Sequence, residues 1–448
     1  MGSEHYEPEI RKSLDISWKE GIPAAITIGI TDNYLVPYGL YFGATTQQIG
    51  FLIAIPHLFG SIAQLFAAKA VCMIGGRLKF IVHSVGAQAA LLIPISLLAF
   101  FSYSGQVEIL ICLVIVFRIL GNFIATAWGS LMSDYLPPEK RGHYFGWRSQ
   151  IIGAASIIGV GIAGALLSFT KKTHPQGGFF LVFFAAACLR FISSWLLSKM
   201  TDIPVHSSRE ADFTFLMFIR RFKESNFVKY VLYVSSVMLA AYLAGPYFSV
   251  YMLRDLHFSY LAYASVQLAA VITCLLSLPA WGKHADVVGN AKILKITSLL
   301  LPTIPFLWLF STNLFYLILV EAFSGFVWGG FNLCATNFVY DAVSPEKRVR
   351  CIAYFNLING VAIFLGTTTG GFLADRLPPL LGKSLLTLFL ISAVFRFLAH
   401  FLLFHQFREV RETKRQVSSI PLFFSVLGIK PIAGINQEWN IFSEHRAD

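Results

Sequence analysis

Long apolar blocks constrain this chain more than any other feature. "LLIPISLLAFF" and "ILICLVIVF" are typical, and few charges interrupt them. Blocks near 20 apolar residues have the length of a helix crossing a bilayer. Lipid offers the backbone no water, so a spanning segment must satisfy its own peptide groups as helix. A membrane barrel would instead need short alternating strands, and the sequence has none of that pattern. Composition agrees: 56% of the 448 residues are hydrophobic and 13% are charged, against about 25% charged in soluble domains.

Twelve apolar spans can be counted, near 18–40, 49–74, 78–102, 107–133, 145–169, 178–199, 228–253, 259–282, 292–311, 314–341, 350–374 and 384–405. Short polar turns join them. The expected domains are 1–199, a six-helix bundle; 200–227, a central loop; 228–408, a second six-helix bundle; and 409–448, a tail. Within the central loop, "DFTFLMFIRRFKESNF" reads either as an amphipathic helix on the membrane surface or as a solvated linker.

The net charge of +11 does not call for nucleic acid. Of 35 Lys and Arg, 27 fall on the side holding both termini and the even-numbered loops. Five fall on the other side: Lys171, Lys172, Arg254, Arg376 and Lys383. Cytoplasmic loops carry the excess of basic residues, so both termini are expected in the cytoplasm. The N-terminus has no signal-peptide pattern, and "MGSEHY" lacks a myristoylation motif. Six cysteines all lie in or beside apolar blocks, with no CxxC and no Cys/His metal spacing. Neither a disulfide framework, a metal nor a cofactor is expected.

The chain repeats itself. A shift of 207 residues lays Asp134 on Asp341 and Pro138-Glu139-Lys140-Arg141 on Pro345-Glu346-Lys347-Arg348. The match runs on through Gly153/Gly360, Gly159/Gly366 and Gly164/Gly371 in the fifth and eleventh spans. Near the same offset Arg190 meets Arg396 in the sixth and twelfth, and "YLVPY" resembles "YLAGPY" in the first and seventh. Internal repeats of this kind mark secondary transporters, with a substrate site between the halves near the midplane. The expected fold is therefore all-α and integral to the membrane. Its twelve transmembrane helices form two six-helix bundles related by pseudo-two-fold symmetry.

The loops between the second and third and the eighth and ninth spans echo one another: "KAVCMIGGRLK" overlies "KHADVVGNAK". Gly282, Asp286 and Gly289 give G-x-x-x-D-x-x-G. On these residues, and on the doubled "PEKR", the chain resembles a major facilitator superfamily transporter over about 15–408, of a bacterial type. The resemblance names no substrate. It implies a gate on the cytoplasmic side from Arg77, Asp134, Arg141, Asp286, Asp341 and Arg348. The first copy departs from the pattern, with Cys72 where the motif has Asp. The second gate is therefore expected to be the tighter one. Arg141 and Arg348 are expected to reach back to the aspartates. The fifth span also lacks the Gly-Pro of drug antiporters.

Charges inside a membrane are costly, so each is a candidate for function. Asp32 in the first span, Arg118 in the fourth and Glu321 in the tenth are candidates for proton coupling or substrate binding. In the resembled fold these spans and the seventh line the cavity. Asn33, Tyr34, Tyr38, Tyr242, Tyr247 and Asn332 are candidate substrate contacts, the tyrosines serving equally well as packing. Arg190 and Arg396 read as structural residues snorkelling toward an interface. His57, His83 and His400 read as bonded interior residues, and Gln64 and Gln88 as interhelical glue.

The reading is a secondary active transporter of a small organic solute, proton-coupled and working by alternating access. It is expected in the inner (plasma) membrane as a monomer. Its partners would be membrane lipids, a small-molecule substrate and protons, with no nucleic acid. Alternatives are an uncoupled facilitator, a lipid or lysolipid flippase, a receptor on a transporter scaffold, or an intramembrane enzyme. The enzyme would need an acid/base or nucleophile cluster at one interface, and the sequence has no such spacing; no catalytic residue is assigned.

Overall fold

The computed structural model describes residues 7–101, 104–136, 138–203, 225–343, 345–411 and 419–426. The central segment 204–224, with its candidate amphipathic helix, lies outside them.

The first span is one long helix, Glu7–Tyr41, and the second is Thr46–Gln64, which jogs into Ala67–Ile74. Then come the third, Arg77–Leu97; the fourth, Gln106–Tyr135; the fifth, Pro138–Thr170; and the sixth, Pro175–Leu197. The seventh, Asn226–Tyr242, is interrupted at Gly245-Pro246 and resumes over Tyr247–Val250 and a wide turn, Tyr251–Asp255. The eighth is Tyr260–Val288. The ninth divides at Pro302 into Asn290–Leu300 and Thr303–Leu307. The tenth is Leu314–Ala342, the eleventh Pro345–Ala374 and the twelfth Ser384–Leu403. Among the described residues, nine of these helices meet the length and hydropathy of a membrane span. The first, second and ninth do not: polar residues crowd the first, and breaks shorten the other two.

The "PEKR" stretches are helical. Each is the opening turn of a long helix, the fifth and the eleventh. Proline suits the first helical position because its missing N–H would be unpaired there anyway. A glutamate following it favours the positive end of the helix dipole. The side chains of Arg141 and Arg348 lie outside the described ones.

Helix neighbours repeat between the halves. The first packs on the fifth and sixth as the seventh packs on the eleventh and twelfth; the second meets the fourth as the eighth meets the tenth. Two seams join the halves, second against eleventh and fifth against eighth. Lipid tails give no hydrophobic drive between helices, so close backbone approach supplies the attraction. At Gly164 a Cβ would lie 2.6 Å from Ala264 Cβ and 2.7 Å from Tyr34 Oη. At Gly371 it would lie 2.6 Å from Tyr247 Oη and 3.3 Å from Gln47 Cα. Only glycine fits either place.

The loops between first and second, fifth and sixth, and seventh and eighth spans lie on one face, here the distal face. The termini lie on the opposite, terminal face. The halves are tied near the distal face. Arg254 Nη1 donates to Thr46 Oγ1 at 2.7 Å, and Thr46 Oγ1 donates to Asp375 Oδ1 at 3.0 Å. Tyr263 Oη donates to Asn33 O at 2.7 Å. The Phe179 and Tyr260 rings meet edge-on at 5.6 Å.

Candidate functional site

Asp32 and Arg118 meet. They lie on the first and fourth spans, and the Arg118 guanidinium donates to Asp32 Oδ1. The pair sits mid-helix yet is partly open, with Arg118 24% and Asp32 43% exposed. An ion pair at that depth and exposure faces a cavity rather than lipid. His57 of the second span and Tyr242 of the seventh stack edge-on at 6.1 Å. Both lie within electrostatic reach of the pair. The two halves thus both contribute to one mid-membrane cluster.

A chain of amides leads away from it. Asn122 Nδ2 donates to Arg118 O at 3.0 Å, Gln64 Nε2 to Asn122 Oδ1 at 2.5 Å, and Asn356 Nδ2 to Gln64 Oε1 at 2.7 Å. It crosses from the fourth span through the second to the eleventh. On the terminal side of the cluster, Ala125, Thr126, Gly129 and Ser130 are exposed on the fourth span, as are Asn332, Thr336 and Tyr340 on the tenth. The last three recur every four residues, which aligns them on one helix face.

Three of the expected tyrosine contacts are removed from this wall. Tyr34, Tyr38 and Tyr247 are fully buried. Their hydroxyls are spent on backbone carbonyls of adjoining helices: Val160 O at 2.6 Å, Ile95 O at 2.8 Å and Thr367 O at 2.6 Å. They staple helices together, and Tyr38 also packs on Phe179 and Phe183. Tyr38→Phe should therefore cost about 1 kcal/mol of stability and leave transport unchanged, read by thermal unfolding beside flux.

Glu321 is also elsewhere. It accepts from Trp308 Nε1 at 3.1 Å, between the ninth and tenth spans. Its charged neighbour is Arg396, not Arg118. Asn33 sits beside the cluster, bonding Gly29 O at 2.8 Å and receiving Tyr263 at its own carbonyl.

Toward the terminal face the gate residues pair, though not as the repeat implied. Arg77 reaches Asp134 at 2.6 Å, Ser130 Oγ at 3.0 Å and Ile203 O at 2.9 Å. In the second half position 291 is alanine, and the cation comes from beyond the twelfth span. Arg411 reaches Asp341 at 2.9 Å and Asp286 at 3.4 Å. Arg77 is 4% exposed and Arg411 47%. Their aspartates run the other way, Asp134 44% and Asp341 11% exposed, so the first pair is the closer but not the drier, and by distance the second gate is not the tighter one expected. The retained Asp286 is largely in solvent, where an ion pair contributes little.

Both halves also share a cap that the sequence did not reveal. Asp202 Oδ2 accepts from Leu78 N at 3.1 Å, and Glu409 Oε2 from Ala291 N at 2.7 Å. In each, the carboxylate just after the last helix of a half satisfies the start of its third. Further on, the helix Ser419–Val426 docks on the second half, where Ser425 Oγ lies 2.9 Å from His284 Nε2.

Among the described residues no group of His, Cys, Asp and Glu is placed to hold a metal. The sequence profile of the Major Facilitator Superfamily matches twice, over residues 22–237 and 230–444. No curated protein sequence matches. Solved structures share the fold at low identity. One is the nucleoside transporter NupG, with 13% identity, TM-score 0.67, and 89% of this chain and 100% of that one covered. Another is a bacterial homologue of the human lysosomal transporter Spinster, inward-facing and occupied, with 15% identity, TM-score 0.66, and coverage of 92% and 100%. A third is a bacterial homologue of the iron transporter ferroportin, inward-facing, with 14% identity, TM-score 0.61, and coverage of 88% and 99%. With the twofold helix plan, the inter-half cluster and a family match spanning nearly the whole chain, the protein belongs to the major facilitator superfamily and is a multi-pass membrane transporter, not an enzyme.

Proposed function

We propose that the protein is a proton-coupled secondary transporter of a small organic solute, with Asp32 as its coupling carboxylate. The Asp32–Arg118 pair, partly open at mid-membrane and flanked by residues of both halves, carries this reading. A proton on Asp32 removes the negative partner of Arg118. The freed guanidinium can then hold a substrate group, so proton and solute bind to one cluster. The halves rock about it, opening the cluster to one face at a time.

The ties at Thr46, Asn33 and Tyr260 close the distal face in this conformation. The exposed faces of the fourth and tenth spans leave the terminal face open. The bias of Lys and Arg supports a cytoplasmic terminal face in the inner (plasma) membrane. A monomer suffices, since one chain supplies the whole cluster.

Proteoliposomes test the reading. An imposed pH gradient should drive uptake or efflux of a solute identified by thermal stabilisation of the purified protein. Flux of that solute equally fast with and without the gradient, and never uphill, would leave a facilitator instead.

A further inference from the structure

A second charged group lies in the first half, between the Asp32–Arg118 pair and the terminal face. Glu20, Arg148 and Arg190 line one cavity of about 310 Å³ together with Arg118, Gln88 and Trp128. All three charges of the new group are buried, at 4%, 9% and 4% exposure. Glu20 lies 3.6 Å from Arg148 and accepts from Ser193 Oγ at 2.8 Å. Arg190 donates twice to Gln88 Oε1, at 3.0 and 2.7 Å, and Gln88 is itself held by Phe117 O at 2.8 Å. Arg148 lies over the Trp128 ring at 4.4 Å and donates to Ser17 O. Gly21 makes room for it: a Cβ there would lie 2.8 Å from Arg148 Nη2.

The count of charge matters. Three guanidiniums face this cavity, and Glu20 and Asp32 are their carboxylates, leaving one positive charge in excess among the described residues. A buried cation without a counter-charge is costly unless something completes it. Packing does not require the group. In the second half, Arg396 aligns with Arg190 but is satisfied by Ser392 and the Leu301 and Ala241 carbonyls. The 207-residue shift places Phe227, Gly325 and Phe355 opposite Glu20, Arg118 and Arg148. Apart from the aligned Arg190 and Arg396, these charges belong to the first half alone.

Resting on the transport reading, we infer that the solute is an anion, whose carboxylate or phosphate group docks between Arg118, Arg148 and Arg190. Planar guanidiniums bind such oxygens in pairs. A cavity of this volume admits a small organic body with one charged group. Glu20 competes with the solute for the same guanidiniums, so release follows when it reclaims Arg148.

The test uses the full-length protein in nanodiscs, with inorganic phosphate and acetate as minimal probes and chloride at matched ionic strength. One of the two should raise the unfolding temperature above the chloride control, and which one does so identifies the docking group. Arg148→Gln should weaken that binding about tenfold, the loss of one charge-assisted contact. Glu20→Gln should strengthen it several-fold, because a competing carboxylate is gone. A structural cluster would instead lose binding in both variants. If Arg148→Gln does not fold, Arg148→Lys and the sign of Glu20→Gln decide. No stabilisation beyond chloride, or loss of binding in Glu20→Gln, overturns the proposal. So does gradient-driven flux of a neutral solute unchanged in Arg148→Gln, which leaves the transport reading standing. Anion binding with the expected signs but no flux would instead overturn transport and leave the docking site.

Discussion

Asp32→Asn should abolish uphill transport while leaving downhill exchange. With one proton per solute, a gradient of one pH unit supports about tenfold accumulation. In the variant that ratio should fall to one. Asparagine keeps the shape and can still accept a hydrogen bond from Arg118, but it cannot carry the proton. Counterflow of labelled against unlabelled solute, which needs no gradient, should persist. Accumulation by Asp32→Asn at the level of the unaltered protein would move coupling to another residue, with His57, within electrostatic reach of the pair, as the next candidate. Arg118 is the less informative target. Its removal leaves Asp32 unpaired, and a loss of transport would then not separate coupling from misfolding.

Gly164→Leu should stop the cycle altogether. The fifth and eighth spans touch there so closely that even a Cβ would lie 2.6 Å from Ala264 Cβ. A leucine acts as a wedge in the seam, and the distal face can no longer close. Flux should fall to background. In a background without the six native cysteines, a cysteine at Asn33 should become several-fold more reactive toward a membrane-impermeant maleimide added from the distal side. Gly371→Leu should do the same at the seam of the second and eleventh spans. Gly177→Leu is the control, because a Cβ there meets nothing nearer than His174 Cβ at 3.7 Å. Normal flux in Gly164→Leu would show that this contact opens little during transport.

The pairing of Gly164 with Gly371 was legible from the repeat, and the structure added the close helix contacts that each makes. The tyrosines were not. Tyr34 and Tyr38 lie four residues apart on one helix, and their sequence fits a cavity wall as well as a staple. Their hydroxyls meet Val160 and Ile95, carbonyls of the fifth and third spans. Nothing local in the sequence says which helix will stand there. Glu20 was missed for a related reason. It falls near the start of the first span, where a carboxylate ordinarily reads as a surface residue. Arg190 and Arg396 looked equivalent because the repeat aligns them. Only the neighbours supplied by the other helices separate a residue lining a cavity from one sealed against carbonyls.

The sequence by itself determined the twelve spans, their two-half repeat and the asymmetry of basic residues. Each of these follows from local composition, because lipid forces every spanning segment to satisfy its own backbone. The tertiary structure alone decided which charge meets which. Asp32 finds Arg118, Asp341 finds Arg411 from beyond the twelfth span, and Glu321 is drawn away beside Trp308. Those pairings depend on helix rotation and packing, and interhelical contacts between residues far apart in the chain leave no local period to read.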